Sequence, residues 1–579
     1  EIPCFALTSP WAGSDAASIP DTGVICKGQW EGKEVLGMKL SWDKRYITLA
    51  PVATVLGLAV KLRDPEQLLG HQTELGISCC LIPVKTPGVQ IGRRHWPVAA
   101  PFQNGPTSGS DVFVPLDMLI GGPKMAGQGW RMLMECLSVG RAISLPSGAT
   151  GTINGLARLT GAYAAVRHQF GMPVGQFEGV AEALARIGSR CYAANAVRWM
   201  TASAVDQGEK PSVPSAIAKA ACTRMSRDSA IDSMDIHAGK AVMMGPSNPI
   251  AAAYMSAPVS ITVEGANILT RSLMIFGQGA MRCHPYVRAE IEAIADGAQE
   301  RFGEALLAHI GHGLTAASRS LVLGLLPWLA PIPERGSVHA KELRQMGRYS
   351  ANLALLTEFC FASLGGRLKF AESISGRLAD VVSQLYIASC ALKRFEDDGQ
   401  PNDDLPLLRS VCAQSAREIE DAMDGVIRHL PHGGLRLLAR ALIFPLGRRA
   451  GGMDDRTAQA VAELLMEPSP TRDRLTASCW TPPAKSPVAV YEAALHAHLD
   501  SLPLQRRVAR ALRDRQLQEA APEALTDAAA AADILAPHEA DSLRKAQKII
   551  ANLIRVDDFS SAEMQQAPSK PVRRSSAAK

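Results

Sequence analysis

Aromatic residues are scarce in this 579-residue chain, at 5%, and no uninterrupted apolar run reaches the roughly 18–20 residues that a spanning helix needs. Charge is nearly balanced, with 61 Lys+Arg against 56 Asp+Glu and a net +5. That excess is too small at this length for a basic nucleic-acid-binding face. The 12 cysteines contain no C-x-x-C pair and no regular spacing, so neither a zinc site nor a disulfide framework is expected. Reduced thiols in a cytoplasmic compartment are the simplest reading, and no signal peptide is visible after Glu1. These absences argue against secreted, fibrous, disordered and multi-span classes. What is present is globular composition, 47% apolar and 20% charged, enough for about three or four domains.

Residues 1 to 120 are rich in Gly and Pro, with short apolar runs bounded by turns, such as Tyr46-Ile-Thr-Leu, Gly76 to Pro83 and Asp111 to Pro115. They predict a β domain, barrel-like or a sandwich. The longest apolar run, Tyr46 to Val60, contains Pro51 and Gly57 and is expected to form strands. Beyond Gly121 the period changes: Val180, Leu184, Ile187, Cys191 and Ala194 share one face of a helix. Helical periodicity is expected over 121–297, and again over a third region, 298–558, with its strongest segments near 338–364, 371–395 and 405–429. The polar, basic end, 559–579, is expected to be disordered.

Several formal signals fail. Gly311-His-Gly-Leu-Thr-Ala316 matches the loose dinucleotide pattern but follows a helical segment, with no acidic residue at the right distance. Gly239-Lys240 ends like a P-loop, yet Met234 stands where the first Gly is needed. His309 and His312 share a helix face without a third ligand nearby in sequence, so packing is expected rather than metal. Vicinal Cys79 and Cys80 are expected to be core. Leu321 to Pro333, apolar over 13 residues with three prolines and Trp328, reads equally as a peripheral membrane hairpin or a buried inter-helix segment.

Three segments are more informative. Ala6-Leu-Thr-Ser-Pro-Trp-Ala-Gly-Ser-Asp15 runs from a strand into a small-residue loop that lets backbone N–H groups approach a planar or anionic ligand, although a plain β-turn reads the same way. Arg167-His-Gln-Phe-Gly-Met-Pro173 sets a cation and an aromatic three residues apart at a helix end; alone it is a C-cap stopped by Gly171. Ile261-Thr-Val-Glu-Gly-Ala-Asn-Ile268 places a lone carboxylate, Glu264, between a strand-like run and a Gly turn. Burial there would raise its pKa and suit it to proton abstraction; the alternative is a carboxylate at a helix start.

Taken in order, these segments resemble the acyl-CoA dehydrogenase family. Residues 6–15 are similar to its flavin loop, Lys44-Arg-Tyr-Ile-Thr48 to its K-x-W-I-T strand, and Gly76 to Gly92 to a hairpin of its β domain. Gly127-Gln-Gly-Trp to Arg141 resembles the entry to its catalytic helices, Arg167-x-x-Phe170-Gly171 its R-x-x-F-G flavin contact, and Val263-Glu-Gly-Ala-Asn267 its catalytic turn. The likeness covers about residues 1–290. It is nearest to the long bacterial branch of fatty-acid β-oxidation, which adds a C-terminal helical domain. Ser9 and Trp11 replace an acidic residue and Gly, Tyr46 replaces Trp, and Asp235 to Gly239 follows the family pattern only in part.

The resemblance implies a mainly α, α+β fold: a β-barrel-like middle domain (1–120), a catalytic four-helix bundle (121–297) and a helical extension (298–558). It implies FAD and α,β-dehydrogenation of a fatty acyl-CoA to the trans-2-enoyl-CoA, with Glu264 removing the α proton while the β hydrogen leaves as hydride. Phe5, Leu7, Thr8, Ser14, Tyr46, Ile47 and Thr48 would line the flavin, joined by Asp235, Gly239, Gly265 and Asn267. Arg167 and Phe170 would reach a flavin in a partner subunit, implying at least a dimer. Ser14, Arg141 and Gly265 would meet the acyl-CoA, and an electron-transferring flavoprotein would accept the electrons. An acyl-CoA oxidase using dioxygen, or a non-catalytic flavin- or acyl-CoA-binding scaffold, are the rival readings. The family sets a helical domain before the flavin loop, so the chain reads as N-terminally truncated, poorly soluble and weakly active alone.

Overall fold

The computed structural model describes residues 1–98, 102–279, 284–332, 336–479 and 486–565. The end of the expected disordered tail, 566–579, lies outside the described residues; Ser561–Gln565, before it, is a short helix. The expected mainly helical fold with an N-terminal β domain is what is seen, although the sheet does not close.

Seven strands build that sheet: β1 (Pro3–Ala6), β2 (Thr22–Trp30), β3 (Lys33–Thr48), β4 (Val55–Arg63), β5 (Glu74–Pro83), β6 (Gln90–Ile91) and β7 (Asn104–Pro115). β4 pairs with β5 along one edge and with both β1 and β2 along the other, and β2–β3–β7–β6 complete the order. Tyr46 to Val60 forms the end of β3, a turn and most of β4, as its Pro and Gly imply. Ile25, Met38, Leu40, Leu56, Leu58, Ile82 and Val114 are fully buried in one core, each contributing about 1.5–3 kcal/mol.

β5 is covered on both faces. Cys80 and Ile82 enter the main core, while Ile77 and Cys79 pack with Leu133 in a second cluster. Both thiols are pushed up by burial, Cys79 to about 11 and Cys80 to about 12. Leu133 belongs to α1 (Gly129–Ala142), which comes so close to β5 that a Cβ on Gly129 would lie 2.8 Å from the Ile77 carbonyl oxygen. Gly127, at φ +78°, would meet the Leu75 carbonyl in the same way. The glycines of Gly127-Gln-Gly are therefore a packing requirement, and they fix where α1 points.

The rest is helical: α2 (Ser144–Val166), α3 (Glu178–Asp206), α4 (Ser212–His237), Pro249–Thr262, a π-helical segment Thr270–Gln278, Gln299–Leu325, Ala340–Leu364, Glu372–Asp397 and Leu405–His429, among others. The expected helices near 338–364, 371–395 and 405–429 are these last three. On α3, Leu184, Ile187, Cys191 and Ala194 are fully buried, as their spacing predicts. Gly311 and Gly313 sit inside the Gln299–Leu325 helix, which is why the dinucleotide pattern carries no nucleotide turn.

The chain divides into two compact units. The first comprises 1–150, 192–227 and 255–453; the second comprises 151–191, 228–254 and 454–579. Within the second, Asp232 accepts from Arg186 and Arg190 at 2.5 Å each. Arg472, fully buried, pairs with Glu492 at 2.6 Å and donates to the Leu465 carbonyl. The Arg167 segment is not a plain C-cap: α2 ends at Val166, and a tight hairpin follows (His168–Gln169 with Met172–Pro173). Phe170 and Gly171, at φ +52° and +80°, form its turn.

Candidate active site

Glu264 follows the Pro249–Thr262 helix. The strand-like run expected before it is the end of that helix; Ala251, Ala252, Ala253 and Ala257 favour helix and carry Val259 and Ile261 along. Glu264 and Gly265 then take consecutive positive φ values, +53° and +92°. Such backbone costs a glutamate about 1 kcal/mol, so the turn persists only because its surroundings hold it.

Three elements do so. From α1, Arg141 Nε donates to the Glu264 carbonyl oxygen at 3.0 Å. From α4, Lys219 is fully buried and donates to the carbonyls of Ile261 (3.1 Å) and Gly265 (2.8 Å) and to Asn267 Oδ1 (2.8 Å). Asn267 Nδ2 donates in turn to the Ala220 carbonyl and to Thr223 Oγ1. From the π-helical segment, Thr270 Oγ1 donates to the Gly265 carbonyl at 3.3 Å. The helical extension anchors this last segment, because Arg271 grips Asp380 with two hydrogen bonds, at 2.7 and 2.5 Å.

The Glu264 carboxyl group rests on the bare backbone of α1. A Cβ on Gly140 would lie 3.1 Å from Oε2 and 3.4 Å from Oε1. Oε2 is buried and receives no hydrogen bond among the described residues. Burial raises the Glu264 pKa above its ordinary value, against the pull of Arg141 and Lys219. Burial also brings Lys219 down to about 8, opposed by Glu264 and helped by Arg141. The result is a half-buried carboxylate with one oxygen free to take a proton.

The structure brings Glu264, Gly265, Asn267 and Arg141 together at one turn, and adds Lys219 and Gly140, which the sequence reading did not name. Lys219 was visible as the lone cation in Ala216-Ile-Ala-Lys-Ala-Ala-Cys222; Gly140 carried no signal. Arg141, expected at the acyl-CoA, uses its Nε to hold the turn.

In the β domain, Lys44 is fully buried, pairs with Asp21 at 2.5 Å and donates to the Leu7 carbonyl at 2.8 Å. Arg45 binds the carbonyls of Thr8 through its N–H and Pro10 through its guanidinium. Ser9 and Ala12 exchange backbone hydrogen bonds, closing the small-residue loop. Tyr46, at φ +64°, sits at a register break between β3 and β7 and is turned out of the sheet, 58% exposed. Phe5, Thr8, Ser14 and Thr48 are at least partly exposed, as is Leu7. Ile47 differs: its side chain is buried in the core, so only its main chain can face a ligand. Arg167, Phe170, Asp235 and Gly239 belong to the second unit, and Phe170 there is 94% exposed.

A second cluster forms around His309 and His312. Folding brings His284 and Glu358 to them, and ligand atoms of His284, His309 and Glu358 lie within 4.8 Å of one another. His309 faces Glu290 through Nδ1 (2.8 Å) and Glu358 through Nε2 (2.7 Å). His284 Nδ1 accepts the N–H groups of Tyr286 and Val287, leaving Nε2 to donate to Glu358 at 2.8 Å. Each of these rings is thus fully used in hydrogen bonding. Long-range partners at 284 and 358 could not be read from local spacing.

Parts of this chain match known families and proteins. Residues 127–275 match the family model "Acyl-CoA dehydrogenase, C-terminal domain" and residues 281–559 match "Acyl-CoA dehydrogenase, C-terminal, bacterial type". The chain is 62% identical over 104 residues to a protein named HemX of Proteus mirabilis, covering 18% of this chain and 61% of that one. It is 26% identical over 445 residues to the probable acyl-CoA dehydrogenase FadE10 of Mycobacterium tuberculosis, covering 73% of this chain and 65% of the relative. The chain therefore spans less than two thirds of the length of these curated relatives. A solved acyl-CoA dehydrogenase from Bacillus anthracis, complexed with FAD, shares the fold with TM-score 0.62 at 18% identity, over 80% of this chain and 75% of that one. From the matched domains and the long relative, the chain belongs to the acyl-CoA dehydrogenase family.

Proposed function

We propose that this chain carries the catalytic base and much of the cofactor site of an FAD-dependent acyl-CoA dehydrogenase that converts fatty acyl-CoA to the trans-2-enoyl-CoA in fatty-acid β-oxidation. The observation that carries this is Glu264: a carboxylate on a left-handed turn, with a buried oxygen that receives no hydrogen bond among the described residues and a raised pKa. An acidic side chain left in that state is suited to accept a proton rather than to hold a helix end.

The residues of the β domain fit a flavin. Tyr46 is turned out of the sheet at its register break, Phe5 and Trp11 are also uncovered, and the nearby loop is closed by Lys44 and Arg45. Phe5, Leu7, Thr8, Ser14, Tyr46, Thr48 and the Ile47 main chain would hold the ring system. FAD, when bound, supplies the acceptor for the β hydrogen. Glu264 takes the α proton on Oε2. The Glu264 N–H is a candidate donor to the thioester oxygen as negative charge develops there. Arg141 and Lys219 hold the turn that aims both groups, and their positive charge opposes the rise in the Glu264 pKa that burial causes.

The proposal extends to Arg167 and Phe170 acting on a partner subunit's flavin, and to an electron-transferring flavoprotein as electron acceptor. It places the enzyme in the cytoplasm, on or near the inner membrane surface. Anaerobic titration with acyl-CoAs of increasing length tests the chemistry through flavin bleaching. Glu264→Gln should retain FAD and acyl-CoA while bleaching about 10³-fold more slowly; bleaching at the wild-type rate would remove Glu264 as the base. Hydrogen peroxide formed stoichiometrically in air would favour the oxidase.

A further inference from the structure

A cavity of about 480 Å³ opens within the helical extension. Lys341, Arg344, Gln345 and Arg348 line it from one face of the Ala340–Leu364 helix, at spacings of three and four residues. Ala413 and Ala416 of the Leu405–His429 helix leave the space, and Arg449 to Gly452 and Trp328 close the sides. The lining holds four cationic side chains and no acidic one.

Among the described residues these cations have no carboxylate paired with them. Arg348 is 6% exposed, yet it has only one side-chain hydrogen bond among the described residues, to the Ile443 carbonyl, and its Nε has no partner. Arg344 Nε is likewise buried without a partner. None of Lys341, Arg344, Arg348 or Arg449 forms an ion pair among the described residues. Glu420, the buried carboxylate that touches the same loop, is already occupied by the Tyr349 hydroxyl and the N–H groups of Arg449 and Ala450. A guanidinium withdrawn from water with no counter-charge is costly, and that cost is relieved when an anion enters.

We propose that this cavity is a binding site for a phosphate-bearing anion with at least two negative charges. Guanidinium forks match phosphate oxygens in pairs, and the cavity is larger than a single phosphate requires. Trp328, which lines the cavity, and Leu329, next to it in the chain, are both exposed, so the phosphate can come from a soluble organic phosphate or from a phospholipid headgroup.

The test uses the full chain at about 0.15 M salt, where screening weakens diffuse charge attraction. Inorganic pyrophosphate and ADP are titrated calorimetrically in one arm. In the other, flotation is measured with phosphatidylcholine vesicles with and without phosphatidylglycerol. Saturable binding to the soluble probes identifies a free phosphate; flotation that requires phosphatidylglycerol identifies a headgroup. Arg344→Gln with Arg449→Gln should weaken whichever binding is seen about tenfold, and Arg348→Gln should do the same if it folds. A charge-matched control, Arg288→Gln with Arg301→Gln at exposed positions, should bind as wild type. No binding in either arm, or an equal loss in the control, would overturn the proposal.

Discussion

Glu264 and Glu358 are both half-buried carboxylates in the same compact unit, and the protein treats them in opposite ways. Glu358 has both oxygens tied, to His284 and His309. Burial alone would raise its pKa, but those hydrogen bonds and the imidazole charge hold it below the ordinary value. Glu264 has its backbone tied and its carboxyl left open, and there burial wins over Arg141 and Lys219. The difference lies in where the donors are aimed. Donors aimed at carboxylate oxygens make a clamp between helices; donors aimed at the surrounding carbonyls make a rigid mount for a reactive group.

The largest expected effect is on the mount. Lys219→Met removes a buried cation with three acceptors, leaving the Gly265 carbonyl with Thr270 Oγ1 alone and the Ile261 carbonyl and Asn267 Oδ1 without this donor, which should cost about 3 kcal/mol of stability, read by urea unfolding. A loss under about 1 kcal/mol would mean that the turn holds itself. Next comes the clamp: Glu358→Gln should cost about 1–2 kcal/mol and leave flavin bleaching unchanged. A bleaching defect there would blur the contrast between the two sites.

The rest of that contrast was only partly legible in the sequence. The β domain, the 3.6-residue periodicity and the motif around Glu264 were visible because each depends on neighbours close in the chain. Val259 and Ile261 misled as a strand because β-branched residues resemble one until an alanine-rich start pulls them into helix. Ile47 looked like a flavin contact, but strand alternation at the bulge turns its side chain into the core. Lys219, Gly140, His284 and Glu358 reach the partners described above across 42 to 124 residues of chain, which no local pattern records.

A smaller effect sharpens the geometry of the mount. In Gly140→Ala the new methyl would press on Glu264 Oε2 at 3.1 Å, so the carboxyl must shift by tenths of an ångström. Bleaching should slow about tenfold, about 1.4 kcal/mol, with an unchanged urea midpoint; wild-type bleaching would show that the carboxyl does not use this position.

The smallest is a pH effect on the clamp. His309 is lowered by burial but raised overall by Glu290 and Glu358, so its contribution is complete below its unfolded pKa and lost as pH rises through its raised folded value. The Glu358 contribution is complete above its unfolded pKa and lost as pH falls through its depressed folded value. Stability from the cluster should therefore peak between the ordinary carboxylate and imidazole ranges, and Glu358→Gln should flatten that peak.

The central claim is that one fold drives two similar carboxylates in opposite directions. Infrared titration of protein carrying ¹³C-carboxyl glutamate measures this directly, with the wild-type-minus-Glu264→Gln and wild-type-minus-Glu358→Gln difference spectra isolating the two groups. The account predicts a midpoint above the ordinary glutamate value of about 4.3 for Glu264 and below it for Glu358. Coincident midpoints, or the reverse order, would contradict it.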